Sequence, residues 1–318
     1  MDNITHTLTG VVMSRAGLNR YYSHPAAVLM LAANAPDIDI LAAFGGSFNY
    51  FVNHRGITHS IVAAPLMALL PVLIVCAFVR SMRGWKAAYL ISLVGIASHL
   101  LLDWTNSYGI RLFLPFNSSW PAANLNNIVD LWIWAVLLIA VVGPLLGKLV
   151  SSEIGARPGS GRGLAWFAIA FICVYDFGRY LAHQRSMEIL NSRIYEGAPP
   201  IRVAAFPVGS LSPFEWSGWA ERSDAALHFP LNLRASFDPS VPEQVYFNPE
   251  PSPALEAARQ DYHVKKFLEF AQYPLWRVVP QAEPEGAKRV EVRDWRFPFT
   301  VTVIVDQSNR VISSSFHY

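Results

Sequence analysis

Charge is what this chain has least of. Of its 318 residues only 15% are Asp, Glu, Lys or Arg, where a globular chain carries roughly 25%. The net charge is +2, too small a basic surplus to leave a footprint for nucleic acid. Cysteine is nearly absent as well: the 2 cysteines, Cys76 and Cys173, lie inside apolar runs. That excludes a disulfide framework and a CxxC zinc site, so any metal must be held by histidine and carboxylate. No sequence repeat suggests a solenoid. The opening MDNITH has no basic n-region, so no cleavable signal peptide is expected. What the chain has in abundance is apolar surface, at 53% hydrophobic residues and a mean hydropathy of +0.27.

That surface is concentrated in the first 192 residues. Ser60 to Val79 contains no ionisable side chain and is long enough to cross a hydrocarbon core of ~30 Å. Three further apolar stretches follow: Lys86 to Leu102, interrupted by His99, then Ile128 to Val150 and Gly163 to Ala182. Thr5 to Ala16 and Pro25 to Ala35 are apolar but short, and read as a helical hairpin with Arg15 and Arg20 near its tip. The expected membrane domain, residues 1–192, is therefore all-α and polytopic, with four full spans plus this hairpin. Arg80, Arg83 and Lys86 in one loop, and Lys148, Arg157 and Arg162 against Glu153 in another, make those loops cytoplasmic by the positive-inside rule. The segment from Trp104 to Asn127 and the chain after Ala182 are then extracytoplasmic.

From about Arg193 the composition changes, and residues 193–318 read as a soluble α+β domain on the outer face. Lys288 to Trp295 and Phe299 to Val305 alternate as strands do, with Asp306-Gln307-Ser308-Asn309 as a hairpin turn before Arg310 to Phe316. Pro253 to Gln272 reads as one amphipathic helix. No catalytic motif is found there.

The chemistry lies in the membrane half. His99 and Asp103 are four apart and share a helix face, and Asp2 and His6 repeat the spacing. Asp37 and Asp39 follow a short apolar helix, His54 and His59 precede the first full span, and Asp130 precedes the third. The topology, set by the basic loops alone, brings His59, His99, Asp103 and Asp130 to one membrane face. Each residue also has a plain structural role open to it. Asp2 suits a helix cap, Asp37-Ile38-Asp39 a turn, and His99 helix packing; His24 reads as a loop residue before Pro25, His183 as interfacial, and Asp176 with Arg179 as an intramembrane pair. Jointly, so many histidines and carboxylates at the edge of a low-dielectric medium need neutralising, and a divalent metal does so economically. Mixed His and carboxylate donors suit zinc, with manganese or iron also able to bind. Arg55, between two candidate ligands, is placed to hold a phosphate with its planar fork.

At Met1-Asp2-Asn3-Ile4-Thr5-His6, Ala35-Pro36-Asp37-Ile38-Asp39, His54-Arg55-Gly56-Ile57-Thr58-His59-Ser60 and His99-Leu100-Leu101-Leu102-Asp103-Trp104-Thr105-Asn106-Ser107-Tyr108-Gly109, the chain resembles the YdjM-like membrane-bound metal-dependent hydrolases. The resemblance covers roughly residues 1 to 150 and implies an inner-membrane hydrolase. The order His, Asp, His, HxxxD is also similar to that of the zinc-dependent phospholipase C and single-strand zinc nuclease superfamily. That implies His6, Asp37 or Asp39, His59, His99 and Asp103 as ligands. Those enzymes add a processed N-terminal amine and a later HxxxE or HxxxD pair; Asp2 and Asp130 are the nearest substitutes here, which points to two ions rather than three. The expected ligand set is thus Asp2, His6, Asp37, Asp39, His54, His59, His99, Asp103 and Asp130, with Arg55 and Asp39 catalytic. The expected substrate is a membrane lipid or lipid-linked phosphoester. A non-catalytic scaffold with a structural metal and a partner-binding outer domain is the rival expectation.

Overall fold

The computed structural model describes residues 1–153, 159–209 and 211–317; Arg157, counted above among the basic loop residues, lies outside them. The helical half begins with α1 (Asn3–Ala16), which Asp2 caps by accepting from the backbone N–H of Ile4 and Thr5. Gly17, at φ 143°, ends it. Pro25 opens α2 (Pro25–Ala32), and the two helices form the short hairpin expected. A 3-10 segment, Ala35–Gly45, carries Asp37 and Asp39, and α3 (Ser47–Asn53) follows.

Ser60 to Val79 is not the continuous span expected. A 3-10 turn (Ile57–His59) leads into α4 (Ala64–Met67) and α5 (Leu69–Val79); Ser47–His59 and Ala64–Val79 meet at a bend of 89° before Ala64, so helix begins only there. Pro71 explains the break at Ala68: it lacks the N–H that would bond the carbonyl of Met67, and its ring crowds that carbonyl. Beyond it, α6 (Trp85–Thr105), α7 (Leu131–Glu153) and α8 (Arg162–Asn191) are, among the described residues, the 3 helices long and apolar enough to cross a membrane, or up to 5 spans if each bent pair counts as one. Their outward side chains, including Leu90, Leu149, Val174 and Phe177, are exposed, as lipid-facing positions must be. Asp176 and Arg179 do not pair as expected. Asn126 Nδ2 donates to Asp176 at 2.7 Å, while Arg179 donates to the carbonyls of Leu125 and Pro213 and lies over the Trp216 ring.

Two glycines set the seam that matters for function. A Cβ at Gly10 of α1 would meet the backbone of Leu29 at 2.9 Å, and one at Gly95 of α6 would meet Ala32 Cβ at 2.6 Å. Both helices therefore close on α2 at distances only glycine allows. His6 lies four residues before Gly10 and His99 four after Gly95, on the same faces. The result is that the two imidazoles stack, with centroids 4.0 Å apart.

The C-terminal domain holds two four-stranded antiparallel meanders: β1 (Arg202–Pro207), β2 (Glu215–Glu221), β3 (Ala225–Asn232) and β4 (Gln244–Phe247), then β5 (Pro274–Pro280), β6 (Lys288–Asp294), β7 (Thr300–Val305) and β8 (Val311–His317). The first sheet and β5 add to the strands expected from the sequence. Side chains alternate: Ala205 and Leu227 face the end of α8 at Leu190, while Ala204, Phe206 and Trp219 face Tyr273 and Trp295. The single helix expected over Pro253 to Gln272 is two, α9 (Pro253–Gln260) and α10 (Tyr262–Phe270). Asp261 divides them, its carboxylate accepting from the N–H of His263 and Val264, because a short acidic side chain competes with the helix for backbone donors. Phe267, Phe270, Phe299 and Phe316 then join Phe51, Tyr108 and Trp120 of the helical half in one aromatic core. The domain is thus fastened onto the loops that carry the candidate site.

Candidate metal centre

Asp37, His59, His99 and Asp103 each present one donor atom, and these four atoms lie within 4.8 Å of one another. His59 Nε2 and His99 Nε2 are 3.1 Å apart. Asp37 Oδ1 is 3.4 Å from the first and 3.7 Å from the second, and Asp103 Oδ2 is 3.6 Å and 3.5 Å from them. Tetrahedral donors at roughly 2.0–2.2 Å from an ion are about 3.3–3.6 Å apart. Three of these five edges fall in that range, and the other two, 3.1 and 3.7 Å, lie within about 0.2 Å of it.

The hydrogen bonds behind these atoms fix what they offer. His99 Nδ1 lies 2.7 Å from the carbonyl oxygen of Ala33, which only an N–H can satisfy, so Nε2 carries a lone pair. His59 Nδ1 sits 3.5 Å from Asp39 Oδ2 and 3.1 Å from Thr58 Oγ1, turning its Nε2 the same way. With His59 Nδ1 carrying its proton toward Asp39, its Nε2 lone pair meets that of His99 beside two carboxylates. Asp103 Oδ2 is buried and accepts no hydrogen bond, an expensive state for a carboxylate oxygen. The donor set fits a divalent cation.

Other expected residues take places around this group. Asp39 accepts from the Arg55 backbone N–H at 2.7 Å and touches His54 Nδ1 at 3.3 Å. It addresses the far nitrogen of His59, so it orients a ligand rather than facing the ion. His54 packs its ring against Tyr50 and Tyr108. His6 Nε2 is 3.2 Å from Asp103 Oδ1, which also accepts from the Met1 amino group. Asn3 Nδ2 donates to Asp37 Oδ2 at 3.0 Å. Asp2 and Asp130 stay outside the group. Asp2 caps α1 and accepts from Trp134 Nε1, and Asp130 accepts from the N–H of Trp132 and Ile133 and from the Tyr175 hydroxyl. Among the described residues this is one four-residue group, with no second group of three or more alongside it.

Arg55 departs most from its expected role. Its backbone has φ 50°, a strained setting for a non-glycine residue. Its guanidinium is buried, donating from Nη2 to Asp103 Oδ1 at 3.1 Å and from Nη1 to Asn106 Oδ1 at 3.1 Å and Gly109 O at 3.2 Å, below the Tyr108 ring. Both Nη atoms are engaged by protein and Nε alone lacks a partner, so the guanidinium holds Asp103 rather than presenting a free bidentate edge to a phosphate. Asn106 is the residue that sequence reasoning passed over. Its Oδ1 also accepts from Tyr108 N at 2.8 Å, closing the turn after α6. Only its place inside the HLLLDWTNSYG run could have flagged it.

Comparison with known proteins agrees with this architecture. The chain matches the family described as YdjM inner membrane protein over residues 1–185, which takes in the whole cluster. The chain belongs to that family. It is also similar to a protein of Bacillus subtilis (strain 168), Uncharacterized protein YfhP, with 24% identity over 330 residues that span 99% of this chain and 94% of that one. No solved structure matches.

Proposed function

We propose that this member of the YdjM inner membrane protein family is a metal-dependent hydrolase that cleaves a phosphoester in a membrane lipid or lipid-linked substrate. The observation that carries the reading is the pair of imidazole Nε2 atoms 3.1 Å apart, flanked by Asp37 and Asp103. Asp37, His59, His99 and Asp103 would hold one ion; zinc suits two nitrogens and two oxygens, with manganese or iron as substitutes. Such an ion acidifies a bound water and polarises a phosphoryl oxygen.

The chain's own residues supply the rest. Ala33 and Asp39 hold the imidazoles in one tautomer, and Arg55 and His6 fix Asp103 through its other oxygen. Asp37 is the ligand with access to solvent, at 20% side-chain exposure against 0% for both histidines, so the reacting group would approach past it. Tyr108 lies against Arg55 and His54, and Trp120 and Phe270 back its ring. A site at the membrane boundary suits an amphiphile that stays anchored while its head group enters. The basic loops, read by the positive-inside rule, support an extracytoplasmic position for that boundary and for the C-terminal domain.

One observation favours a structural ion in a scaffold instead: four protein donors already complete a tetrahedron, whereas a catalytic ion keeps an open position. Purified protein loaded with zinc and assayed on a panel of phosphoester lipids separates the two. Hydrolysis that chelator abolishes and zinc restores supports the enzyme. Stoichiometric zinc with no turnover on any member of the panel supports the scaffold.

A further inference from the structure

The end of the helical half opposite the candidate centre holds a cavity of about 350 Å³ lined by Gly17, Leu18, Arg20, Tyr21, Val94, Arg162 and Trp166, among others. We infer that it is a binding site for the phosphate of an anionic phospholipid, bridged by Arg20 and Arg162.

The two guanidinium groups converge on one point. A Cβ on Gly17 would lie 3.2 Å from Arg162 Nη2 and 3.5 Å from Arg20 Nη2, so both cations flank the space that this glycine leaves open. Each is tethered by its Nε alone, Arg162 to Ala16 O at 3.2 Å and Arg20 to Gly17 O at 3.5 Å. The outer nitrogens are thereby aimed and left with donors to spare. Among the described residues neither arginine has a carboxylate within ion-pair distance. The segments 17–24 and 80–86 contain no acid, and 148–162 only Glu153. Two like charges held side by side without a counterion repel, and an anion between them removes the repulsion.

The surroundings favour a lipid as the source of that anion. Tyr21 is 65%, Trp166 54% and Val94 45% exposed at the cavity's edge, an aromatic and apolar rim of the kind found where a headgroup meets acyl chains. Gly17 lies eleven residues along α1 from His6, about 16 Å at 1.5 Å per residue, so one phosphate cannot occupy both sites. Basic pockets between helices on the cytoplasmic side are suited to anionic headgroups. The site is independent of whether the metal centre is catalytic.

The test titrates detergent-solubilised full-length protein with phosphatidylglycerol, phosphatidylcholine or inorganic phosphate while following thermal unfolding. Phosphatidylglycerol should raise Tm saturably, and the other two should not. R20Q/R162Q should weaken the apparent phosphatidylglycerol affinity roughly 30-fold, about 2 kcal/mol at 1.4 kcal/mol per tenfold. R83Q/K86Q, which removes the same charge from the same end, should leave it unchanged. Metal content in R20Q/R162Q reports that the variant is folded. Equal responses to the two lipids, a full response in folded R20Q/R162Q, or an equal loss in R83Q/K86Q would each overturn the assignment. Inorganic phosphate matching phosphatidylglycerol would overturn the lipid as its source.

Discussion

Asp294 in the C-terminal domain and Asp103 in the membrane half are both buried, yet the protein treats them differently. Asp294 receives Arg296 Nε and the Arg296 backbone N–H, each at 2.9 Å, on one oxygen, and Arg296 Nη2 and Tyr273 N on the other. Arg296 also donates from Nη1 to Ser107 O at 2.9 Å and from Nη2 to Phe270 O at 3.2 Å, so this ion pair also clamps the domain to the turn after α6. Asp103 has all its donors on Oδ1, and its Oδ2 faces two imidazole Nε2 atoms. A buried carboxylate with every lone pair engaged holds a fold together. One with a free oxygen aimed at other lone pairs is arranged for a cation.

Variants can break this comparison, and the largest effect should fall on the metal. His99→Ala and Asp103→Ala each remove one of four donors, and bound metal should be lost from both while the protein still inserts. Stoichiometric metal retained in either variant would take that residue out of the ligand set. Next, Asp294→Ala leaves Arg296 buried without its partner and should destabilise the C-terminal domain by roughly 3–5 kcal/mol. Proteolysis of that domain would report it, with metal content unaltered. Concurrent metal loss would mean that the two carboxylates do not serve separate ends.

Smaller changes sharpen the contrast. Asp39→Asn removes the carboxylate behind His59 without touching a donor atom, and metal affinity should fall by roughly 10- to 100-fold by competition against a chelator. Total loss would place Asp39 among the ligands. Asp2→Ala removes a helix cap worth about 1 kcal/mol and should lower thermal stability modestly at full metal content. Loss of metal there would restore Asp2 to the ligand set.

The residues on long-range faces were the legible ones. His99 and Asp103 follow from the i, i+4 rule, and the basic loops bring His59 to the same end without reference to chemistry. The choice between Asp37 and Asp39 was not legible. At about 3.0 residues per turn, two residues two apart in a 3-10 segment point in different directions, and nothing in Pro36-Asp37-Ile38-Asp39 says which faces inward. Arg55 misled because a guanidinium beside two histidines looks free until Asn106 and Gly109, some fifty residues later, are seen to occupy it. In the C-terminal domain, Lys288 to Val305 alternates cleanly between apolar and polar residues. Val203-Ala204-Ala205-Phe206 does not, because β1 is covered on both faces, by α8 on one and by Tyr273 and Trp295 on the other.

The central claim is that Asp37, His59, His99 and Asp103 bind a divalent cation. X-ray absorption at the metal edge, with elemental analysis on the same zinc-loaded and desalted sample, tests it most directly. The account predicts about one ion per chain in a mixed nitrogen and oxygen shell with bonds of roughly 2.0–2.2 Å, lost together in a His59→Ala/His99→Ala variant that remains folded. A wild-type chain that retains no zinc, or a double variant that keeps the same shell, would contradict it.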